Sequence, residues 1–115
     1  MAAWGYQDHW AIEITTLDGI DIIQDGESQK LKNNYEQVCS FQIMSGKPFY
    51  FFKKSSLGYG INYDGVEIHL DYDEIPCNDA NENVDPVISR YQNMVHFFAK
   101  KDGNWAEVII GTFDQ

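Results

Sequence analysis

The sequence predicts an all-β fold, either a small antiparallel barrel or a two-sheet sandwich, with seven to eight strands built from hairpins and room for one short helix. Two Asp-Gly dipeptides each lie between runs of alternating residues. Asp-Gly favours a type I′ hairpin turn, because both central positions of that turn need positive φ. Short strand-like runs recur between turn signals at nearly regular spacing, without the strand–helix alternation of a parallel sheet.

The two Asp-Gly turns predict the register of their hairpins. Around Asp64-Gly65, one face pairs apolar or aromatic residues: Tyr63 with Val66, Ile61 with Ile68, Tyr59 with Leu70, and Leu57 with Tyr72. The other face pairs Asn62 with Glu67, Gly60 with His69, and Gly58 with Asp71. Around Asp102-Gly103, the pairs are Ala99 with Ala106, Phe97 with Val108, and Val95 with Ile110. Each hairpin therefore has one face suited to a core.

The N-terminal half contains further strand-like runs. Residues 10–16 alternate, a turn signal follows at 17–20, residues 20–24 are the returning strand, and Asp25-Gly26 closes it. Residues 27–36 are polar and allow either a helical turn or a loop. Residues 38–45 alternate again and lead through a turn into the aromatic run 49–52, which we expect to be covered on both faces.

Residues 85–103 allow two interpretations. Asp85 followed by Pro86 resembles the start of a helix, and apolar residues then recur at helical spacing. The cross-strand pairs at Asp102-Gly103 favour a strand instead. We predict one helical turn after Pro86, a strand from about residue 93 to 101, and a last strand over 105–113.

Length and composition predict one domain, residues 1–115, and exclude a disordered chain, because 43% of the residues are hydrophobic and 15% are aromatic. No apolar run approaches the roughly 20 residues of a membrane span. The first residues lack the pattern of a secretory signal. Cys39 and Cys77 lack metal-ligand spacing, so we expect free, buried thiols and a cytoplasmic protein, with a Cys39–Cys77 disulfide as the alternative.

The formal net charge is −10, and the charge is segregated. Residues 55–89 contain eight of the 18 acidic residues and no Lys or Arg. Such a protein repels phosphate backbones and anionic lipid, which argues against nucleic-acid or membrane binding. It attracts cations or a basic protein surface, although plain solubility explains the charge equally well.

His69 is the best single candidate for chemistry. In the predicted register it shares a face with Glu67, Asp71 and Asp73, which stabilise its cationic form. The glycines opposite, Gly58 and Gly60, leave space for a ligand above it. The alternative is an exposed histidine on a solvent-facing strand.

Two further groups are candidates for ligand binding. His96 and Trp105 share the second face of the last hairpin, which either lines a hollow or belongs to the core. Tyr59, Tyr63 and Tyr72 share the apolar face of the first Asp-Gly hairpin, and tyrosines suit a cavity wall or an interface as well as a core.

Motifs for cofactors, metals and nucleophilic catalysis are absent from the sequence. Residues 79–85 resemble the start of a calcium loop, but Val84 replaces the required Gly and Arg90 replaces the bidentate Glu. We therefore predict no cofactor and no metal.

Three functional hypotheses follow. The first is a non-catalytic protein that holds a small apolar or cationic ligand in an aromatic-lined cavity. The second is an acidic, inhibitor-like protein that docks on a basic partner through residues 64–85. The third is a small enzyme that uses His69 with Glu67 or Asp71. A homodimer through an edge strand or through residues 49–52 is compatible with each of them.

Overall fold

The computed structural model describes residues 2–55, 58–75, 87–91 and 94–111. These residues form eleven strands and one five-residue helix. The elements are β1 (Ala2–Tyr6), β2 (His9–Thr16), β3 (Gly19–Gln24), β4 (Glu27–Ser28), α1 (Gln29–Asn33), β5 (Gln37–Met44), β6 (Lys47–Lys54), β7 (Gly58–Tyr63), β8 (Val66–His69), β9 (Val87–Tyr91), β10 (Met94–Lys101) and β11 (Asn104–Gly111). The predicted all-β, antiparallel class is confirmed.

The strands form three antiparallel sheets, one more than the predicted two-sheet sandwich, and the sandwich-like class fits. The first sheet contains β1 to β4, the central sheet contains β5 to β8, and the third sheet has the order β11-β10-β9. The described strands do not close into a barrel, so that alternative is wrong. The strand count exceeds seven to eight because β1, β4 and β9 are short strands in segments without a clear alternating pattern.

Both predicted hairpin registers are confirmed over the strands that form them. The first turn pairs Tyr63 with Val66, and the second pairs Ala99 with Ala106. Each turn has the positive φ values that its Asp-Gly sequence favours: 52° and 86° at residues 64 and 65, and 52° and 83° at residues 102 and 103. A two-residue turn with the right backbone preference therefore sets the register of each hairpin.

The central sheet is covered on both faces, as the aromatic run at residues 49–52 predicts. Phe49 and Phe51 of β6 belong to a core cluster with Val95 and Phe97 of the third sheet. Tyr50 and Phe52 belong to a second cluster, which includes Ala11 and Ile22 of the first sheet. All four β6 aromatics are at most 2% exposed, so this run is covered by the two neighbouring sheets of its own chain.

One part of the predicted core face is exposed. Ile61 is buried, but its partner on the edge strand β8, Ile68, is 45% exposed, and Val66, the partner of Tyr63, is 61% exposed. The third sheet has three strands in the described part of the chain, one fewer than the central sheet. The apolar side chains of β8 therefore extend past the edge of the sheet that covers β6 and β7.

The first two sheets repeat one meander. β2 and β6 each have eight residues, β3 and β7 each have six, and an Asp-Gly turn follows both of the shorter strands. β10 is the eight-residue strand at the corresponding place in the third sheet. No repeat is visible in the sequence, because corresponding positions carry side chains as different as Ala11, Phe49 and His96.

The structure resolves both ambiguous segments. Within residues 27–36 the helical alternative is correct: the Ser28 side chain caps α1 by accepting from the Leu31 N–H, and Asn34 ends it in the left-handed region at φ 58°. Residues 87–91 are strand β9, so a helical turn extending past residue 86 is wrong. Pro86 itself lies outside the described residues. The pairing of β9 with β10 outweighs the helical spacing of the apolar residues.

Cys39 lies on β5 with 1% exposure and is disulfide-bonded, so the prediction of a free thiol is wrong there. Cys77 lies outside the described residues. None of the described helices is long and apolar enough to cross a membrane.

Candidate functional site

A cleft of about 290 Å³ opens between the first and central sheets, where their turns meet. On one side, the cleft is lined by residues at the β1–β2 and β3–β4 turns of the first sheet and by residues of α1. On the other side, it is lined by residues of β6, β7 and the β7–β8 turn of the central sheet. The lining is mostly polar: Tyr6, Gln7, His9, Gln24, Asp25, Glu27, Gln29, Lys32, Asn33, Pro48, Asn62, Asp64 and Gly65. We refer to this feature as the polar cleft.

A histidine–aspartate pair lies on one wall of the polar cleft. Nδ1 of His9 lies 2.7 Å from Oδ2 of Asp25, and Oδ1 of Asp25 accepts a hydrogen bond from the Trp10 backbone N–H at 3.0 Å. Asp25 has a φ of 50° in its Asp-Gly turn. The Trp10 N–H, and then His9, hold the pKa of the Asp25 carboxyl below its ordinary value. The carboxylate is therefore ionised and oriented at neutral pH.

Tyr6 extends this wall. Its hydroxyl accepts a hydrogen bond from Nε2 of Gln24 at 2.8 Å, and its ring centroid lies 5.5 Å from that of His9. Burial raises the pKa of the Tyr6 hydroxyl, so the phenol stays neutral. A neutral aromatic ring thus lies beside an ionised carboxylate, an arrangement that suits a polar or cationic ligand.

Two buried amides form the floor of the polar cleft. Gln29 and Asn62 are 5% and 6% exposed. Oε1 of Gln29 accepts from the Tyr50 hydroxyl at 3.0 Å, and Nδ2 of Asn62 donates to the Tyr35 hydroxyl at 3.0 Å. Oδ1 of Asn62 also accepts from the Gly65 N–H at 3.0 Å. Because both amides are fixed by buried partners, the floor is pre-organised.

The Tyr35 hydroxyl connects this floor to a charged pair. It donates to Oε2 of Glu67 at 2.6 Å, and Nζ of Lys54 lies 3.2 Å from the same oxygen. Burial and the Glu67 carboxylate raise the pKa of Tyr35 to about 12, and burial also raises the pKa of Tyr50. The Tyr35 hydroxyl in turn lowers the pKa of Glu67. The two phenols therefore act as neutral hydrogen-bonding groups.

The charge of the polar cleft is negative. Three carboxylates line it, against one ammonium group. Nζ of Lys32 lies 3.9 Å from Oε1 of Glu27 and offsets that carboxylate. The remaining negative charge comes from Asp25 and Asp64, at equivalent Asp-Gly turns of the first and central sheets.

His69 lies away from the polar cleft, exposed on the edge strand β8. Its partner across the sheet is Gly60, as predicted. The space at Gly60 is not available to a ligand, since a β-carbon there would lie 2.6 Å from Cζ of Phe52. Asp71 is paired with Lys101. His69, the histidine that the sequence analysis favoured, does not line the polar cleft.

The predicted tyrosine group packs beside the core. Tyr59, Tyr63 and Tyr72 are partly buried against the cluster between the central and third sheets. The Tyr63 hydroxyl donates to the Met44 carbonyl at 2.9 Å. None of the three lines the polar cleft.

The predicted histidine–tryptophan group lies on the outer face of the third sheet. Trp105 is 53% exposed, and Nζ of Lys100 lies 5.8 Å from its ring centroid. Nε2 of His96 lies 2.5 Å from Oε1 of Glu107 on the same face.

Sequence reasoning missed the His9–Asp25 pair. The Asp25-Gly26 turn was visible, and so was the strand starting near residue 10. Extending the β2–β3 pairing beyond Ala11 and Gln24 by two residues would have placed His9 beside this turn. The amide floor had no signal, because it depends on how two sheets and α1 pack together.

Within the described ranges, no group of three or more His, Cys, Asp or Glu residues could hold a metal ion. No family model, curated protein or solved structure matches the chain.

Proposed function

We propose that the protein is a non-catalytic binding protein and that its ligand is a small cationic molecule held in the polar cleft. One observation carries the proposal: a cleft of about 290 Å³ combines a pre-organised amide floor with a wall that carries an ionised carboxylate. Small-ligand sites commonly combine a concave shape with a few fixed polar groups.

The charge favours a cation. Asp25 and Asp64 leave the cleft negative after Glu27 is offset by Lys32. The Tyr6 ring offers an aromatic surface beside Asp25, and such a pair attracts an ammonium group. Of the two ligand types predicted from the sequence, the polar lining supports the cationic one rather than the apolar one.

The residues of the cleft favour binding over covalent catalysis. None of the described residues that line it is Ser, Thr or Cys, the usual nucleophiles. The His9–Asp25 contact resembles the pairing of a general base with its orienting carboxylate, but such a base needs a group to activate. In a binding site the same contact serves to orient Asp25.

An acidic docking surface is the second candidate function. Asp71, Asp73 and Asp102 are exposed around the β10–β11 turn, where the Asp102 N–H donates to Oδ2 of Asp73 at 2.8 Å. Lys101 lies among them and pairs with Asp71. The excess of carboxylates there suits a basic protein surface, by the same electrostatics that favour a cation in the cleft.

Calorimetric titration with choline and putrescine tests the first proposal. We expect both cations to bind, and we expect 3,3-dimethylbutan-1-ol, the neutral analogue of choline, to bind at least about tenfold more weakly. Asp25→Asn should weaken binding of the cations by a similar factor, whereas Asp18→Asn, at the distant β2–β3 turn, should not.

Two outcomes would contradict this assignment. Equal binding of the neutral analogue would remove the charge argument. Weakening by Asp73→Asn, with Asp25→Asn unchanged, would move cation binding from the cleft to the acidic docking surface.

A further inference from the structure

The three sheets stack in one direction. In each of the eight-residue strands β2, β6 and β10, alternate positions face opposite sides. We define the forward face of each sheet by corresponding positions: Ala11 and Glu13, Phe49 and Phe51, and His96 and Phe98. The back face carries the intervening positions: Ile12 and Ile14, Tyr50 and Phe52, and Phe97 and Ala99.

Inside the chain, a forward face packs on a back face twice. Ala11, on the forward face of the first sheet, shares a core cluster with Tyr50 and Phe52 on the back face of the central sheet. Phe51, on the forward face of the central sheet, packs on Phe97 with ring centroids 4.8 Å apart. The same kind of interface, a forward face on a back face, therefore occurs between the first and central sheets and between the central and third sheets.

This stacking leaves an open apolar face at each end. The forward face of the third sheet exposes Phe98, Trp105 and Ile109 by 39%, 53% and 60%. At the other end, the back face of the first sheet carries Trp10, 46% exposed, together with the half-buried Ile12, Ile14 and Ile23. Stacked repeats normally end in polar faces, because an apolar end is open to association.

We infer that a second copy of this chain covers these ends, the back face of its first sheet packing on the forward face of the third sheet. The contact continues the interface that the chain already makes twice within itself. Both end faces carry a tryptophan, a residue enriched at protein interfaces. Since the two faces differ, the contact is head-to-tail, and copies joined this way form a ring if the rotation closes.

The inference is independent of the proposed cation binding, because the polar cleft lies between the first and central sheets of one chain. Two variants test the inference. Phe98→Lys places a charge on the forward face of the third sheet, and Ile14→Lys places one on the back face of the first sheet. The cross-strand partners of these positions are Glu107 and Asp21, so each lysine gains a nearby carboxylate that helps the variant to fold.

Sedimentation velocity gives the readout. We expect the wild-type protein to have at least twice the 13.3 kDa mass of one chain, and each variant alone to be monomeric. An equimolar mixture should associate again, because Ile14→Lys keeps an intact forward face on its third sheet and Phe98→Lys keeps an intact back face on its first sheet. Leu17→Lys, at the exposed β2–β3 turn, should leave the assembly unchanged, and circular dichroism melts should show that all variants fold.

Three results would overturn the inference. One is a wild-type protein that stays monomeric up to about millimolar concentration. Another is a pair of folded variants that fail to associate when mixed. The third is loss of assembly in Phe98→Lys alone, since this would indicate a symmetric contact between two forward faces.

Discussion

The Phe52 ring lies directly against Gly60 on the neighbouring strand. A β-carbon at Gly60 would lie 2.6 Å from Cζ of Phe52 and 2.7 Å from the carbonyl oxygen of Ile68. Phe52 is 2% exposed and stacks on Tyr35 with ring centroids 4.3 Å apart. The absence of a side chain at Gly60 therefore leaves the space that the Phe52 ring occupies in the core between the first and central sheets.

Gly60→Ala should destabilise the protein, because the added methyl group meets a buried ring and a backbone carbonyl. We expect a loss of about 1–3 kcal/mol in the free energy of unfolding, as for other overpacked cores. Urea denaturation measures it. Gly5→Ala is the matched control, since its β-carbon would be 4.0 Å from the nearest atom, the His9 carbonyl oxygen. Equal stability of the two variants would contradict the close contact.

Tyr35→Phe should cost about 1–3 kcal/mol, because it removes a hydroxyl that accepts from buried Asn62 and donates to Glu67. The pKa of Glu67 is lowered mainly by that hydroxyl, so it should rise toward its ordinary value in the variant. A carboxyl with a lowered folded pKa stabilises the protein above its unfolded pKa, and this contribution disappears as pH falls through the folded pKa. Tyr35→Phe should therefore weaken the acid dependence of stability.

Thermal melts across the acid range, with NMR titration of Glu67, check this prediction. Tyr59→Phe is the control, because that ring packs on the opposite face of the central sheet. An unchanged Glu67 titration in Tyr35→Phe would contradict the role of the hydroxyl.

Asp25→Asn should lower the melting temperature at neutral pH and have less effect at a pH below the folded pKa of Asp25, where the wild-type carboxyl is also uncharged. The lowered pKa of Asp25 comes first from the Trp10 backbone N–H and then from His9. Its stabilising contribution is therefore present above the unfolded pKa and is lost as pH falls through the folded pKa. Melts of wild type and variant at both pH values measure the difference. The same destabilisation at both would show that the charge has no role.

Reduction should destabilise the protein, because Cys39 is disulfide-bonded on a buried strand. Removing a native disulfide typically costs about 2–5 kcal/mol, so dithiothreitol and Cys39→Ser should each lower the melting temperature clearly. A thiol assay on the unfolded, unreduced protein should find no free thiol. Two free thiols in this assay would contradict the disulfide at Cys39. The disulfide removes the free-thiol argument for a cytoplasmic location, which stays a prediction.

Local patterns predicted much of the fold, and long-range packing explains what they missed. The turns at Asp64 and Asp102 specified both hairpin registers, because backbone preference and strand alternation agree there. The third layer could not be read from alternation, which shows that a strand has an apolar face but not which sheet covers it. The disulfide at Cys39 also depends on distance in the fold rather than on sequence spacing.

The candidate site was harder to predict than the fold. The sequence placed His69 among carboxylates, but β8 lies at the edge of the central sheet and leaves this residue exposed. The floor of the polar cleft uses Gln29 and Asn62, residue types that rarely suggest a site on their own. Their burial depends on the packing of α1 and two sheets, which no local pattern encodes.

The two-sided burial of β6 has a consequence for cooperativity. Since Phe51 packs on one sheet and Tyr50 on the other, neither core cluster can separate from the central sheet without exposing aromatic side chains of this strand. The layers should therefore unfold as one unit. Amide hydrogens of β6 should exchange with solvent only through global unfolding, whereas those of β8 should exchange through local opening.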